Sequence, residues 1–258
     1  PNNGIRETVA AGGPLFFNNQ SDVWVSDGTS NGTRRVREIR PGSVANPEQM
    51  TAWGSNLYFS GDDGVHGREL WKTDGTSNGT VLVRDLYPGA GSGNPTWLTV
   101  FGDALYFSAN DVSEGRELWR TDGTETGTVI AVNLAPYTGT EPLGVSYPSR
   151  SSSPQYLTPF GGWLYFSGDD GAGRIGRELY RTDGTLEGTE LVIDLMPFLT
   201  NISYSTTGPR SSNPEILGEF NGELYLAANT DYRTELWKTD GTAGGTVMVR
   251  NLYPAAAS

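Results

Sequence analysis

The chain has 258 residues, with 18 basic against 30 acidic side chains, a formal charge of −12 at pH 7 and no cysteine. These numbers exclude a disulfide scaffold and a thiolate metal site, and a negative field of that size repels phosphate backbones and anionic membranes, which excludes nucleic acid and favours cations or neutral ligands. No run of about eighteen apolar residues offers membrane insertion, and a chain of this length buries roughly three quarters of its unfolded surface, enough for a core without staples.

One unit recurs from end to end. Asp-Gly-Thr stands at Asp27, Asp74, Asp122, Asp183 and Asp240, spaced by 47, 48, 61 and 57 residues, the period of a supersecondary repeat. The repeat leaves no linker, so a single domain over residues 1–258 is expected, divided as 1–46, 47–94, 95–153, 154–213 and 214–258. Repeat one opens on "GIRETVAAGG", which supplies an inner strand. Repeat two is the plainest: "MTAWG", "NLYFSG", "RELWKT" and "TVLVRDL" read as four strands parted by Gly, Asp and Asn turns. Repeats three and four follow the same order, and repeat five ends on "NLYPAAAS", the close of a fourth strand and a short tail. In each Asp-Gly-Thr the aspartate can accept backbone N–H groups ahead of it and the glycine takes positive φ, so the tripeptide is expected to connect strands three and four. The Asn-Gly-Thr sequons at Asn31 and Asn78 fall in these turns.

Runs such as Leu57-Tyr58-Phe59 and Val81-Leu82-Val83 are apolar without strict alternation, which implies strands covered on both faces. Leu70 and Trp71 point to opposite faces of one strand, so each packs against a different neighbour. The expected fold is all-β: a five-bladed β-propeller with four antiparallel strands per blade, closed by packing between the first and last blades. An open solenoid of the same units is the alternative, although neither end carries an evident polar capping repeat.

The segments "ELWKTDGT", "ELWRTDGT" and "ELYRTDGT" resemble the ELWxxDGT repeats of large secreted or surface proteins of bacteria. The likeness covers all five repeats, with "DVWVSDGT" a degenerate first copy and Tyr180 in place of Trp in the fourth. The resemblance implies a secreted or cell-surface location, and membership of a larger polypeptide; a start at Pro1 fits a processed or excised fragment.

Two links between blades are short, "IRPGSVANPEQM" from Ile39 and "LYPGAGSGNPTWL" from Leu86, and two are long, from Leu134 to Leu157 and from Leu195 to Leu217. The long links end alike, as Arg150-Ser-Ser-Ser-Pro154 and Arg210-Ser-Ser-Asn-Pro214, and bring Tyr137, Tyr147, Phe198 and Tyr204 to the face opposite the Asp-Gly-Thr turns. Aromatic faces beside Arg150 and Arg210 suit a carbohydrate-binding cleft; the alternative is that the aromatics pin the long loops to the blades.

A second constellation repeats with the blades, where the end of strand two, the start of strand three and the end of strand four meet. It is richest in blades two and four: Asp62, Asp63, Glu69 and Asp85, then Asp169, Asp170, Glu178 and Asp194. Such oxygens suit a hard cation, so Ca²⁺ is the candidate metal; the rival is that they cap strand ends or pair with Arg68, Arg116 and Arg177. The lone imidazole, His66, is expected to be a solvated loop residue, which leaves no Ser-His-Asp arrangement. The function expected is a non-catalytic binding module for adhesion or lectin-like glycan recognition. Two alternatives stand beside it: a structural spacer, and a glycan-cleaving enzyme with carboxylates near a central channel.

Overall fold

The structure is a computed structural model that describes residues 4–134, 151–171, 175–196, 211–230 and 233–252; among them every regular element is a β-strand. Blade one is β1 (Thr8–Ala10), β2 (Leu15–Asn18), β3 (Val23–Ser26) and β4 (Arg34–Arg35). Blade two is β5 (Glu48–Trp53), β6 (Asn56–Asp62), β7 (Arg68–Thr73) and β8 (Val81–Arg84). Blade three is β9 (Thr96–Phe101), β10 (Ala104–Asn110), β11 (Arg116–Thr121) and β12 (Val129–Val132). Blade four is β13 (Gln155–Phe160), β14 (Trp163–Asp169), β15 (Arg177–Thr182) and β16 (Thr189–Ile193). Blade five is β17 (Glu215–Phe220), β18 (Glu223–Asn229), β19 (Thr234–Thr239) and β20 (Val247–Arg250). Each blade is a separate four-stranded sheet with its strands in chain order, the build of a five-bladed β-propeller. Two compact units are formed, Pro1–Gly115 with Trp119–Ile130, and Arg116–Leu118 with Ala131–Ser258.

Turn chemistry sets the strand ends. Between β17 and β18, Asn221 (φ 54°) and Gly222 (φ 78°) make the two-residue connection that needs positive φ twice, for which Asn-Gly is suited. Register then sets the faces: Phe59 lies opposite Trp71 and Ser60 opposite Leu70. In the first unit, Leu57, Phe59 and Trp71 pack with Phe16, Val23 and Val25 of blade one. From the other face of blade two, Tyr58, Leu70, Val83 and Leu86 pack with Leu105, Phe107 and Trp119 of blade three. Leu70 and Trp71 therefore serve different neighbours, as the alternation predicts. In the second unit, Tyr165, Leu179 and Val192 meet Leu224, Leu226 and Ala228 in the same way. Each such side chain contributes roughly 1.5–3 kcal/mol on burial, so the joints between blades are the core.

A polar contact accompanies each of these three apolar joints. Lys72 Nζ donates to the Gly123 carbonyl of the next blade at 2.7 Å, Arg181 donates to that of Gly241 at 2.8 Å, and in blade one Arg34 donates to that of Gly75 at 2.8 Å. The preceding blade's aromatic lies under the same glycine: a Cβ on Gly123 would stand 2.5 Å from the Tyr58 hydroxyl, and one on Gly75 3.3 Å from the Phe16 ring. These glycines are wanted both for φ near +90° and for this approach.

Candidate functional site

The repeated turn is a closed hydrogen-bond circuit. Asp74 Oδ1 accepts the Thr76 amide at 2.8 Å and the Thr76 hydroxyl at 2.7 Å, and Thr76 Oγ1 in turn accepts the Gly79 amide at 2.9 Å. Thr80 spends its proton on the Thr76 carbonyl at 2.7 Å, so in the 2.7 Å contact between Thr73 and Thr80 it is Thr73 that donates, while Thr73 Oγ1 accepts the Gly75 amide. Asp27, Asp122, Asp183 and Asp240 hold their own turns by the same two threonine bonds. These bonds favour the carboxylate and lower its pKa in all five turns. They also explain the second glycine of the repeat: a Cβ on Gly79 would lie 2.0 Å from Asp74 Oδ1, and Gly32, Gly127, Gly188 and Gly245 face the same clash with their own aspartates. In the Asn31 and Asn78 sequons, the Thr33 and Thr80 hydroxyls are already spent on the turn.

At the other end of the blade the signature glutamate is buried and grips the link to the next blade. Glu69 accepts the Leu86 amide at 3.1 Å and the Gly93 amide at 2.7 Å, so one carboxylate holds both ends of the segment. Glu178 accepts the Leu195 amide at 3.2 Å and the Ser212 amide at 2.7 Å, and also takes the Ser212 hydroxyl. Glu117 accepts the amide and hydroxyl of Ser152, and Glu235 the amide of Leu252 at 2.7 Å. Burial pushes Glu69 and Glu178 up to about 7; the amide bonds oppose that shift, and the charges of Asp85 and Asp194 add to it.

The close of each link stitches two blades together. The Asn94 amide donates to the Arg68 carbonyl of the blade before at 3.0 Å, and the Gly93 carbonyl accepts from Asn110 of the blade after at 2.7 Å. Asn213 and Ser212 repeat this with Arg177 and Asn229. Ser92, Ser151 and Ser211 accept the amides of Arg68, Arg116 and Arg177, and the residue before proline has positive φ at Asn46, Asn94, Ser153 and Asn213. The Ser-Ser-Ser-Pro and Ser-Ser-Asn-Pro endings are thus anchors. The signal was available in "SGNP" of the short link at Ser92, which carries the same ending.

The acidic candidates are distributed around these clamps. Asp62 pairs with Arg40 at 2.6 Å and accepts the Gly64 amide; Asp63 accepts the Val65 and His66 amides and meets His66 Nδ1 at 2.7 Å. Asp85, Asp169 and Asp194 accept the amides of Gly89, Gly171 and Met196. One oxygen each of Asp85 and Asp170 is buried without a partner among the described residues. Among those residues, no three His, Asp or Glu side chains converge as a metal-holding group. Arg68 and Arg177 bond backbone carbonyls, Ser60 at 3.2 Å for the first, Ser153 and Ser167 at 2.9 and 3.0 Å for the second. His66 is not simply solvated: its bond to Asp63 staples the loop between β6 and β7 and raises the imidazole pKa. Tyr137, Tyr147, Arg150, Phe198, Tyr204 and Arg210 lie outside the described residues. A cavity of about 280 Å³ opens between the turns of blades one and two, lined by Pro14, Val25, Asp27, Arg34, Asp74 and Thr76.

No protein-family description matches the chain, and neither does any curated protein sequence. Among solved structures it is similar to a puromycin hydrolase, at 12% identity and a TM-score of 0.52, over 97% of this chain and 38% of that one. It is similar to the computationally designed protein Ika8 at 15% identity and a TM-score of 0.47, covering 93% of this chain and 59% of that one. An α-L-arabinofuranosidase from Clostridium thermocellum ATCC 27405 matches at 13% identity and a TM-score of 0.38, over 94% and 92% of the two chains. The chain thus spans less than two thirds of the hydrolase and of the designed protein, and at these identities the likeness is one of fold.

Proposed function

We propose that the chain is a non-catalytic binding module whose inter-blade links, presented by a β-propeller frame, recognise carbohydrate. The observation that carries this reading is the constant grip on links of different length. Glu69 holds Leu86 and Gly93 across six intervening residues, and Glu178 holds Leu195 and Ser212 across sixteen. An anchor that tolerates insertion is what a frame needs to vary its binding loops without disturbing its core. The inserted residues include Phe198, Tyr204 and Arg210, and the other long link holds Tyr137, Tyr147 and Arg150: apolar faces and guanidinium donors suited to sugar rings and hydroxyls. A charge of −12 turns away polyanions and suits a neutral ligand. The non-catalytic part rests on how the signature carboxylates are used, since aspartate and glutamate alike accept backbone amides of the frame. The resemblance to ELWxxDGT repeats supports a secreted or surface-attached setting in a bacterium, within a larger polypeptide.

Glycan-array binding by the wild type, weakened at least tenfold by Arg150→Ala or Tyr204→Ala, is the expected result. No binding to any glycan, with or without Ca²⁺, would leave a spacer. Turnover of a chromogenic glycoside panel would overturn the non-catalytic reading.

A further inference from the structure

The cavity of about 280 Å³ between the turns of blades one and two has its origin in a cross-strand exchange. In blades two to five the residue two places before the turn aspartate is a cation, Lys72, Arg120, Arg181 or Lys238, whereas in blade one it is Val25. Lys72 lies opposite Val81 in the pairing of β7 with β8, and Val25 lies opposite Arg34 in the pairing of β3 with β4. Blade one thus carries the same two kinds of side chain with their strands exchanged.

Both arrangements reach the glycine carbonyl of the next turn, Lys72 that of Gly123 at 2.7 Å and Arg34 that of Gly75 at 2.8 Å. They differ in what they leave beside the next aspartate. The charge of Lys72 helps to lower the Asp122 pKa, and that of Arg181 does the same for Asp240. Asp74 is lowered only by bonds within its own turn. Arg34, on the outermost strand of blade one, satisfies the carbonyl, and the short Val25 leaves open the ground that a long side chain on β3 would cover.

What remains is a hollow with apolar lining and two acids. Pro14 and Val25 supply the apolar part, and Asp27 and Asp74 stand in the wall with Arg34. Each aspartate spends Oδ1 on its turn threonine, and neither Oδ2 accepts a bond among the described residues. Two carboxylates against one guanidinium leave the hollow negative. We propose that it binds a small free alkylammonium, with Asp27 and Asp74 holding the cation and Pro14 and Val25 packing the stem. The joint between blades two and three identifies this ligand, because there Lys72 brings an ammonium on a four-carbon stem to the corresponding place from within the chain. A volume of about 280 Å³ lies at the small end of ligand pockets, roughly 300–1,000 Å³, and suits a stem of a few carbons. The hollow is at the turn end of the blades, so it stands or falls independently of what the links bind.

Amide chemical shifts of the whole chain, titrated with n-butylammonium at pH 7, test it. Saturable shifts are expected at Gly75 and Thr76, and n-butanol, equal in stem but uncharged, should bind about tenfold more weakly or worse. Asp27→Asn and Asp74→Asn each remove one charge at an exposed position and keep an amide oxygen for the turn, so both should fold and each should weaken butylammonium binding. Asp122→Asn, in the joint that Lys72 already serves, should leave it unchanged. Val25→Lys supplies the missing side chain from the chain itself and should abolish the shifts. If that variant does not fold, the asparagine variants decide alone. Absence of a saturable shift overturns the proposal, as do butanol binding equal to butylammonium, shifts that survive in folded Val25→Lys, and Asp27→Asn and Asp74→Asn variants that bind no worse than Asp122→Asn.

Discussion

In blades two to five an aspartate stands in water at one end and a glutamate lies in the core at the other, yet both carboxylates accept backbone amides. The outcome for their ionisation is opposite. Asp74 is lowered by its two bonds from Thr76, because almost no desolvation opposes them. Glu69 accepts two amides where Asp74 accepts one amide and one hydroxyl, but burial outweighs them and lifts Glu69 to about 7. Hydrogen bonds of one kind therefore set opposite pKa shifts according to where the acid sits, and stability at acid and at neutral pH should depend on different ends of the blade.

Removing the buried acid should separate the two ends most strongly. Glu178→Ala leaves the Leu195 amide, the Ser212 amide and the Ser212 hydroxyl without their acceptor. An orphaned buried donor costs about 1–3 kcal/mol, so the urea midpoint should report a loss on the order of 3 kcal/mol or more. Asp183→Ala, at the exposed end of the same blade, should cost less. Equal losses would mean that burial does not distinguish the two acids.

Crowding the exposed turn comes next. Gly79→Ala places a methyl 2.0 Å from Asp74 Oδ1, and overpacking of this kind costs roughly 1–3 kcal/mol. Adding Asp74→Ala removes the atom that is struck, so the double variant should lose less than the two single losses combined. Strict additivity would show that the clash is relieved elsewhere.

The pH dependence is smaller and reads the comparison directly. A glutamate raised in the folded state binds its proton more tightly there than in the unfolded chain. The stability this contributes is complete below the usual glutamate range and is lost as pH rises through about 7. The wild-type Tm should therefore fall between pH 5 and pH 8, and the Glu69→Gln/Glu178→Gln double variant should fall less. Parallel curves would remove these two glutamates as the cause.

The frame was legible because its rules are local. Alternation across β7 separates Leu70 from Trp71, and the spacing of two glycines around Asp74 specifies a hairpin whose bonds span at most seven residues. The clamp was not legible in the same way, since Glu178 finds its partners 17 and 34 residues onward and in backbone atoms that carry no residue type. Its trace was nonetheless present: Glu69 to Leu86, Glu178 to Leu195 and Glu235 to Leu252 share a spacing of 17. Capping of strand ends stood beside a cation as the reading of Glu69, Asp85 and their neighbours, and the backbone amides they accept are partners that no side-chain pattern records. The link aromatics rest on residue type and on their place in the long links, because Tyr147 and Tyr204 fall outside the described residues.

The slightest change tests whether the exposed aspartate acts by its charge or by its oxygen. Asp74→Asn keeps an Oδ1 that can accept the Thr76 amide and hydroxyl, and loses only the ionised form. The turn circuit keeps an acceptor at that atom, so the urea midpoint at pH 7 should fall only by the part of the stability that the ionised form contributes, and by less than in Asp74→Ala. The difference belongs on the acid limb. A carboxylate whose folded pKa is depressed contributes stability that is present above the usual aspartate range and is lost as pH falls through the lowered value. The amide does not titrate, so the variant should lose less Tm than the wild type as pH drops below that range. A loss at pH 7 as large as that of Asp74→Ala would instead show that the amide oxygen does not serve the turn, and that the exposed end of the blade depends wholly on the charge.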